Sequence, residues 1–241
     1  SETVSAGSYS TLVKKTISEI HTRFKTPLIC GGAGLYYRAL VKGIFLGSKT
    51  DNNIRKRLEE EYDIKGSKEM LSKLIKYDPD YAKSIHPNNK KRIVRALEIL
   101  ESTGNSPTKN FKSQKQTEVP KLNLYTVYLN WDRSILKDRI AQRTNHMLNN
   151  GWIEEVKQII EKYPNQTLHP LDSIGYREIL SYLKGELTLD TLEKTIIIKT
   201  RQFAKRQIQW FKNENIDLTI DMNHFNKNDI DDILINIRKN I

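Results

Sequence analysis

Cysteine is almost absent. Cys30 is the single one in 241 residues, so no internal disulfide can form, which fits a reducing compartment. Histidine is sparse as well: His21, His86, His146, His169 and His224 contain no i, i+4 pair and have no cysteine companion, which argues against a zinc site. No apolar run approaches the ~20 residues needed to span a bilayer, and no signal peptide is recognisable. A GxxxxGK[ST] loop occurs nowhere, so the sequence as it stands holds no nucleotide P-loop of that form. Internal repeats and low-complexity tracts are missing too. The sequence opens at Ser1 in polar text, SETVSAGSYS, and reads as a fragment or a processed chain.

What is present is ordinary for a soluble globular protein: 37% hydrophobic, 29% charged and 8% aromatic residues, enough for one sizeable core or one domain with a smaller insertion. Forty Lys+Arg against 29 Asp+Glu give a net charge of +11. That excess favours an anionic partner, although a background rich in Lys, Asn and Ile produces the same number.

The apolar spacing predicts a helix over 9–24 with Ser8 or Ser10 as cap, then a buried strand TPLIC (26–30), a glycine turn and a new helix through GGAGLYYRALVKGIF (31–45). This is βα grammar and points to an α/β fold. From 47 to 120 helical patterns replace it, over 54–62, 68–76 and 89–102, the last with Gly104 just past its end. Residues 105–120 read as a polar linker. LNLYTVYLNW (122–131) alternates like a strand, and Asp132 is the expected N-cap of a helix over 133–149. Helices continue past Gly151 to about Lys212, followed by a short strand IDLTI (216–220) and a terminal helix. The expected layout is an α/β core from 1–46 and 121–241 around a helical insertion at 47–120.

Three groups of cations stand out. On a helix over 196–212, Trp210, Phe203, Ile196, Thr200, Phe211, Ala204, Ile197 and Ile208 fill one arc of roughly 160°, with Gln207 the polar intruder. Arg201, Lys205 and Lys212 line one border of that arc; Lys199 and Arg206 line the other. On the helix after Asp132, Arg139 and Arg143 lie in or beside the stripe Leu136, Ile140 and Met147, four residues apart, where like charges repel. Lys91, Arg92 and Arg95 share a face in the insertion. Taken alone, the 196–212 borders and the insertion face fit a solvated surface better than a phosphate or an RNA backbone, while the Arg139–Arg143 pair fits carboxylate neighbours and a ligand anion equally. The GGAG turn (31–34) has the same ambiguity: its backbone N–H groups could cradle a phosphate, or its glycines could serve sterics alone.

Taken in order, CGGAGLYYRAL, NNKKRIVRALEILESTG, DRIAQRTNHMLNNGWIEEV, SIGYREILSYLKGE and TRQFAKRQIQWF resemble the motif series of tRNA dimethylallyltransferases (tRNA isopentenyltransferases), over nearly all of residues 1–215. The resemblance implies a P-loop-NTPase-like α/β core with a helical insertion domain. It implies transfer of a dimethylallyl group from dimethylallyl diphosphate to N6 of the adenosine next to the anticodon in tRNA. That chemistry needs a grip on the diphosphate, a base for N6 and an adenine taken out of its stack. In relatives a P-loop and a following aspartate serve the first two needs; both precede the region corresponding to Ser1.

The residues implied by the resemblance are these. Gly31, Gly32 and Gly34 match the glycine turn near the diphosphate. Ala33 stands where relatives usually have a threonine whose hydroxyl faces the substrate; that lost bond costs about 1.5–3 kcal/mol. Arg143 matches the arginine of an RxxxRxxxM pattern and, with Arg139, Arg201 and Arg206, falls to the diphosphate; Arg143 and Ala33 are the positions implied to be catalytic. Arg55, Lys91, Arg92, Arg95, Gly175, Tyr176, Arg177 and Lys205 fall to tRNA. Mg²⁺ is implied as cofactor, with its ligands outside this sequence. A monomeric, cytoplasmic protein without a membrane partner is expected. A prenyltransferase of free adenylate and a non-catalytic tRNA-binding remnant are the competing expectations.

Overall fold

The structure, a computed structural model, describes residues 4–43, 51–115, 122, 124–164, 166, 168–226 and 229–240. Expected features at Ile44, Phe45, the 46/47 boundary and 116–121 lie outside the described residues. The chain divides into two compact units, one from Val4, 28–37 and the described residues after 123, the other from 5–27 and 38–122.

The second unit is helical throughout its described residues. Helix α1 (Ala6–His21) starts at Ser5, whose hydroxyl accepts the Ser8 N–H in a capping box. The cap therefore lies three or five residues before the expected Ser8 or Ser10, because Ser5 and Ser8 satisfy each other's backbone donors. Helix α2 (Gly34–Val41) begins in the first unit and ends in this one. Helix α3 (Asn52–Tyr77) joins the two expected helices across a break at Gly66, whose φ of 80° only glycine adopts without strain. Next come α4 (Pro79–Lys83) and α5 (Lys90–Thr103), the latter capped by Asn89 and closed by Gly104 in the left-handed region as expected. Leu58, Met70 and Leu74 of α3 pack on Ile93 and Leu97 of α5, all fully buried.

The expected linker after Gly104 is instead a helix, α6 (Pro107–Lys115). Its polar sequence hides the anchor. Pro107 and Asn110 are buried, and Thr108 donates both its N–H and its hydroxyl to Asp78 at 2.7 Å. Asp78 also caps α4 through the Tyr81 N–H at 3.1 Å. One buried carboxylate thus starts two helices, each with proline in its first turn.

The first unit holds the strands β1 (Val127–Asn130) and β2 (Leu218–Asp221), paired in parallel with Leu129 opposite Ile220. Parallel neighbours require a crossover. Here it contains α7 (Arg133–Asn149), α8 (Trp152–Lys162), a 3-10 turn at His169–Asp172, α9 (Tyr176–Leu183) and α10 (Leu189–Phe211), and α11 (Asp229–Asn240) follows β2. Asp132 caps α7 as expected, and Gly151 breaks the chain before α8 at φ 93°. A small parallel sheet with helical crossovers is an α/β arrangement. The core of this unit is Trp152, Val156, Ile179, Leu192 and Ile196.

The strand expected at 26–30 does not form. Leu28 is 86% and Ile29 41% exposed, and the only sheet among the described residues is the β1–β2 pair, which leaves 28–30 no hydrogen-bonding neighbour.

Asp78 makes the stability of the helical unit pH-dependent. Burial raises its pKa, but the hydrogen bonds from Thr108 and Tyr81 outweigh burial and hold it below the usual aspartate value. A lowered folded pKa contributes stability that is present above the unfolded value near 3.9 and lost as pH falls through the folded one. Asp78→Ala should cost about 2 kcal/mol at pH 7 and less at pH 3, below the unfolded value, read from urea melts at both pH values.

Candidate active site

The glycine turn leads into α2. The carbonyl of Ala33 accepts the Tyr37 N–H at 3.0 Å, which puts Ala33 at the N-cap. The Gly32 carbonyl accepts from Gln207 Nε2 at 2.9 Å, and a Cβ on Gly32 would overlap that amide. A Cβ on Gly34 would overlap the Trp210 indole, whereas one on Gly31 would meet nothing. Gly34 is therefore required by the close approach of the Trp210 indole on α10, whereas at Gly32 it is the flexible end of Gln207 that would have to shift. Tyr37 fixes the other side of the turn. Its hydroxyl lies 3.1 Å from Thr126 Oγ1 and donates to the Asn215 carbonyl at 3.2 Å, and its ring meets Phe211 edge-on at 5.5 Å.

Gln207 is the polar residue that interrupts the apolar arc of α10. Its half-buried amide is explained by this bond. Phe203, placed in the same arc by its spacing, is 43% exposed instead, with the Arg206 guanidinium over its ring at 5.8 Å. Lys205 is exposed. Arg201 is half-buried, and its buried Nε has no hydrogen-bond partner.

Helix α7 packs against α10. Its buried position is Thr144, which bonds back to the Ile140 carbonyl at 2.9 Å, while Leu136, Ile140 and Met147 are only half covered. Arg139 and Arg143, in or beside that stripe, are exposed. Arg139 stacks over the Trp131 ring at 4.1 Å. Among the described residues, none of Arg139, Arg143, Arg201 and Arg206 pairs with a carboxylate, whereas many other cations do.

The turn before α9 is tightly held. Gly175 has φ 97° and ψ −56°, and a Cβ there would overlap the Trp152 ring. Its N–H donates to Glu178 Oε2 at 2.6 Å, and the other Glu178 oxygen accepts from Lys199 Nζ of α10 at 2.7 Å. Burial raises the Glu178 pKa, but the Lys199 and Gly175 hydrogen bonds outweigh it and hold the carboxyl below its usual value. Tyr176 donates to Glu155 Oε1 at 2.7 Å, and Arg177 donates to the Asp172 carbonyl at 2.9 Å.

In the helical unit, Arg55 and Arg95 both reach the fully buried Glu98, at 2.9 and 2.7 Å. Both side chains remain about one-third exposed while their guanidinium groups bond that buried carboxylate. Lys91 and Arg92 are exposed and make no such bond among the described residues.

Residues 1–214 match the family model for IPP transferase. The chain belongs to the IPP transferase family. It is 37% identical to a tRNA dimethylallyltransferase of Desulforamulus reducens, over 93% of this chain and 79% of that protein. It is 36% identical to one from Oceanobacillus iheyensis, over 88% and 67%. The full-length tRNA isopentenylpyrophosphate transferase of Bacillus halodurans superposes with a TM-score of 0.65 at 34% identity, over 99% of this chain and 74% of that one. A eukaryotic dimethylallyltransferase solved acting on tRNA gives 0.66 at 27% identity, over 87% and 53%.

In this IPP transferase, the described residues include no group of three or more His, Cys, Asp or Glu able to hold a metal ion. No helix among them is long and apolar enough to cross a membrane. Glu98 and Glu178 escaped the sequence reading. The signals were there: Arg95 and Glu98 stand i, i+3 on one helix, and Gly175 with Glu178 follows the N-cap-to-N3 spacing of a capping box.

The steric account of the turn separates its glycines. Gly34→Ala should lower stability by about 1–3 kcal/mol through the Trp210 overlap, while Gly31→Ala should be near neutral. Paired thermal melts check this, and equal losses at both positions would refute it.

Proposed function

We propose that this protein transfers a dimethylallyl group from dimethylallyl diphosphate to N6 of the adenosine next to the anticodon in tRNA, releasing diphosphate. The observation that supports the reading best is a set of four guanidinium groups, on α7 and α10, without carboxylate partners in a member of the IPP transferase family. The glycine turn is bonded to the same helix α10.

The chemistry follows from charge. As the carbon–oxygen bond of the donor breaks, negative charge develops on the diphosphate, and donors already in place for that charge lower the barrier. Arg143, Arg139, Arg201 and Arg206 are assigned to these oxygens, with Gly31, Gly32 and Gly34 beside them. The buried, unpartnered Nε of Arg201 is a donor of the kind an anion would satisfy. Ala33 adds no hydroxyl. Its helix therefore starts without a side-chain cap, and the donor has one fewer hydrogen bond than a threonine would give. Lys205, Lys91 and Arg92 are assigned to tRNA phosphates, with Tyr176 and Arg177 on the held turn. Gly175 shapes that turn, and Arg55 and Arg95 support the basic helix through Glu98. The same reading expects a cytoplasmic monomer.

Incubating the intact gene product with labelled dimethylallyl diphosphate and, in parallel, tRNA or AMP should label tRNA alone. Label in AMP, or in neither, would overturn the reading. In the same assay Arg143→Ala should raise the KM for the donor, and Ala33→Thr should raise kcat/KM about tenfold or more, the equivalent of the hydrogen bond restored.

Arg92 is tested by salt. Arg92→Ala should weaken all tRNAs about equally and reduce the slope of log K against log salt by roughly 0.7–0.9. An unchanged slope would return Arg92 to the solvated surface.

A further inference from the structure

Lys199 borders the apolar arc of α10 alongside Arg206, yet it alone among these border cations is tied to a buried carboxylate. Glu178 is 2% exposed, and its two oxygens point to different elements: one to the Gly175 N–H at the start of α9, the other to Lys199 on α10. We propose that Glu178, through Lys199, is a positioning residue for the RNA substrate. It fixes the 173–177 turn at a set distance from the transfer site. This rests on the proposed function.

A neutral acceptor would satisfy the Gly175 N–H. A buried charge is the more expensive choice, because breaking its pair leaves it uncompensated, and the best-attested use of such a pair is to fix register. Register is what this pair controls. Lys199 lies eight residues before Gln207, so the anchor sits about 12 Å along the α10 axis from the bond that holds the glycine turn. The backbone at Gly175 also departs from ordinary conformations, and such geometry persists only where its surroundings over-determine it. Trp152 bars movement on one side and Glu178 holds the other. The residues that follow directly, Tyr176 and Arg177, are those assigned to tRNA. For reaction, N6 must come within about 3–3.5 Å of the prenyl carbon, and an error of 1 Å in placement costs about a hundredfold. A strut from the RNA-facing turn to the helix that bears the diphosphate cations controls that placement.

The proposal distinguishes the two substrates. Glu178→Gln keeps the shape and removes the charge; Lys199→Met cuts the pair from its solvent-exposed side and leaves the buried carboxylate uncompensated, so each variant is compared at its own folded fraction. In the intact protein, each should lower kcat/KM for tRNA about tenfold or more while the Kd for dimethylallyl diphosphate stays within twofold. The double variant should be no worse than the poorer single one, since both remove one strut, and Lys199→Arg should restore most of the activity. Circular dichroism and melting curves measure the folded fraction alongside. Losses that follow the folded fraction, equal effects on both substrates, or additive losses in the double variant would overturn the positioning role. A wild-type protein that binds no tRNA would overturn the proposed function, and this inference with it.

Discussion

The contact between the glycine turn and α10 governs the first unit. Gln207 bonds the Gly32 carbonyl and the Trp210 indole occupies the space a Gly34 side chain would need, so the turn is placed directly against the helix. Phe211 extends the contact to Tyr37 and Tyr128, and Tyr37 carries it to Thr126 beside β1. Because the apolar side of α10 is fixed in this way, its cationic borders point in set directions. The stretch TRQFAKRQIQW is therefore neither a plain surface helix nor a plain core helix. Its apolar residues and Gln207 act on the turn, and that leaves Arg201, Lys205 and Arg206 available for other partners.

Buried carboxylates sort the remaining cations. Glu98 takes Arg55 and Arg95, and Glu178 takes Lys199. A guanidinium held at 2.7–2.9 Å by a fully buried carboxylate would have to break a compensated pair before it could grip a ligand, at a cost of several kcal/mol. An exposed or half-buried one without such a partner has no such cost. The distinction separates cations that hold the protein together from cations that can bind. It cannot be made from net charge, because both kinds count equally in the +11.

Much of the helical architecture was legible in the sequence because its signals are local. Asp132, Asn89, Gly104 and Gly151 mark helix ends through hydrogen bonds and backbone angles set within a few residues. The failures came where a distant partner decides. The apolar run at 26–30 looks like a strand, but a strand exists only with a neighbour. The 105–120 segment looks like a linker because its helix is anchored by Asp78, some 30 residues away, rather than by an apolar stripe. For the site, the glycines and the borders of α10 were visible, whereas the choice between a steric and a ligand-binding role for each glycine depended on Gln207 and Trp210, about 175 residues further on.

The same logic bears on Ala33. At an N-cap, serine, threonine, aspartate or asparagine would turn a side-chain oxygen onto the first N–H groups of α2, and alanine provides none. A threonine hydroxyl at this position has two possible uses, capping the helix or facing a substrate oxygen, and it cannot fully serve both at once. Alanine gives up both. The helix nevertheless forms, because its later turns are held by tertiary contacts: Ala39 and Leu40 are buried, the Ser10 hydroxyl bonds the Ala39 carbonyl, and Tyr37 is fixed on three sides. Since α2 forms without a side-chain cap at residue 33, these tertiary contacts rather than a cap hold the helix, and a hydroxyl restored there would add little to the stability of the fold.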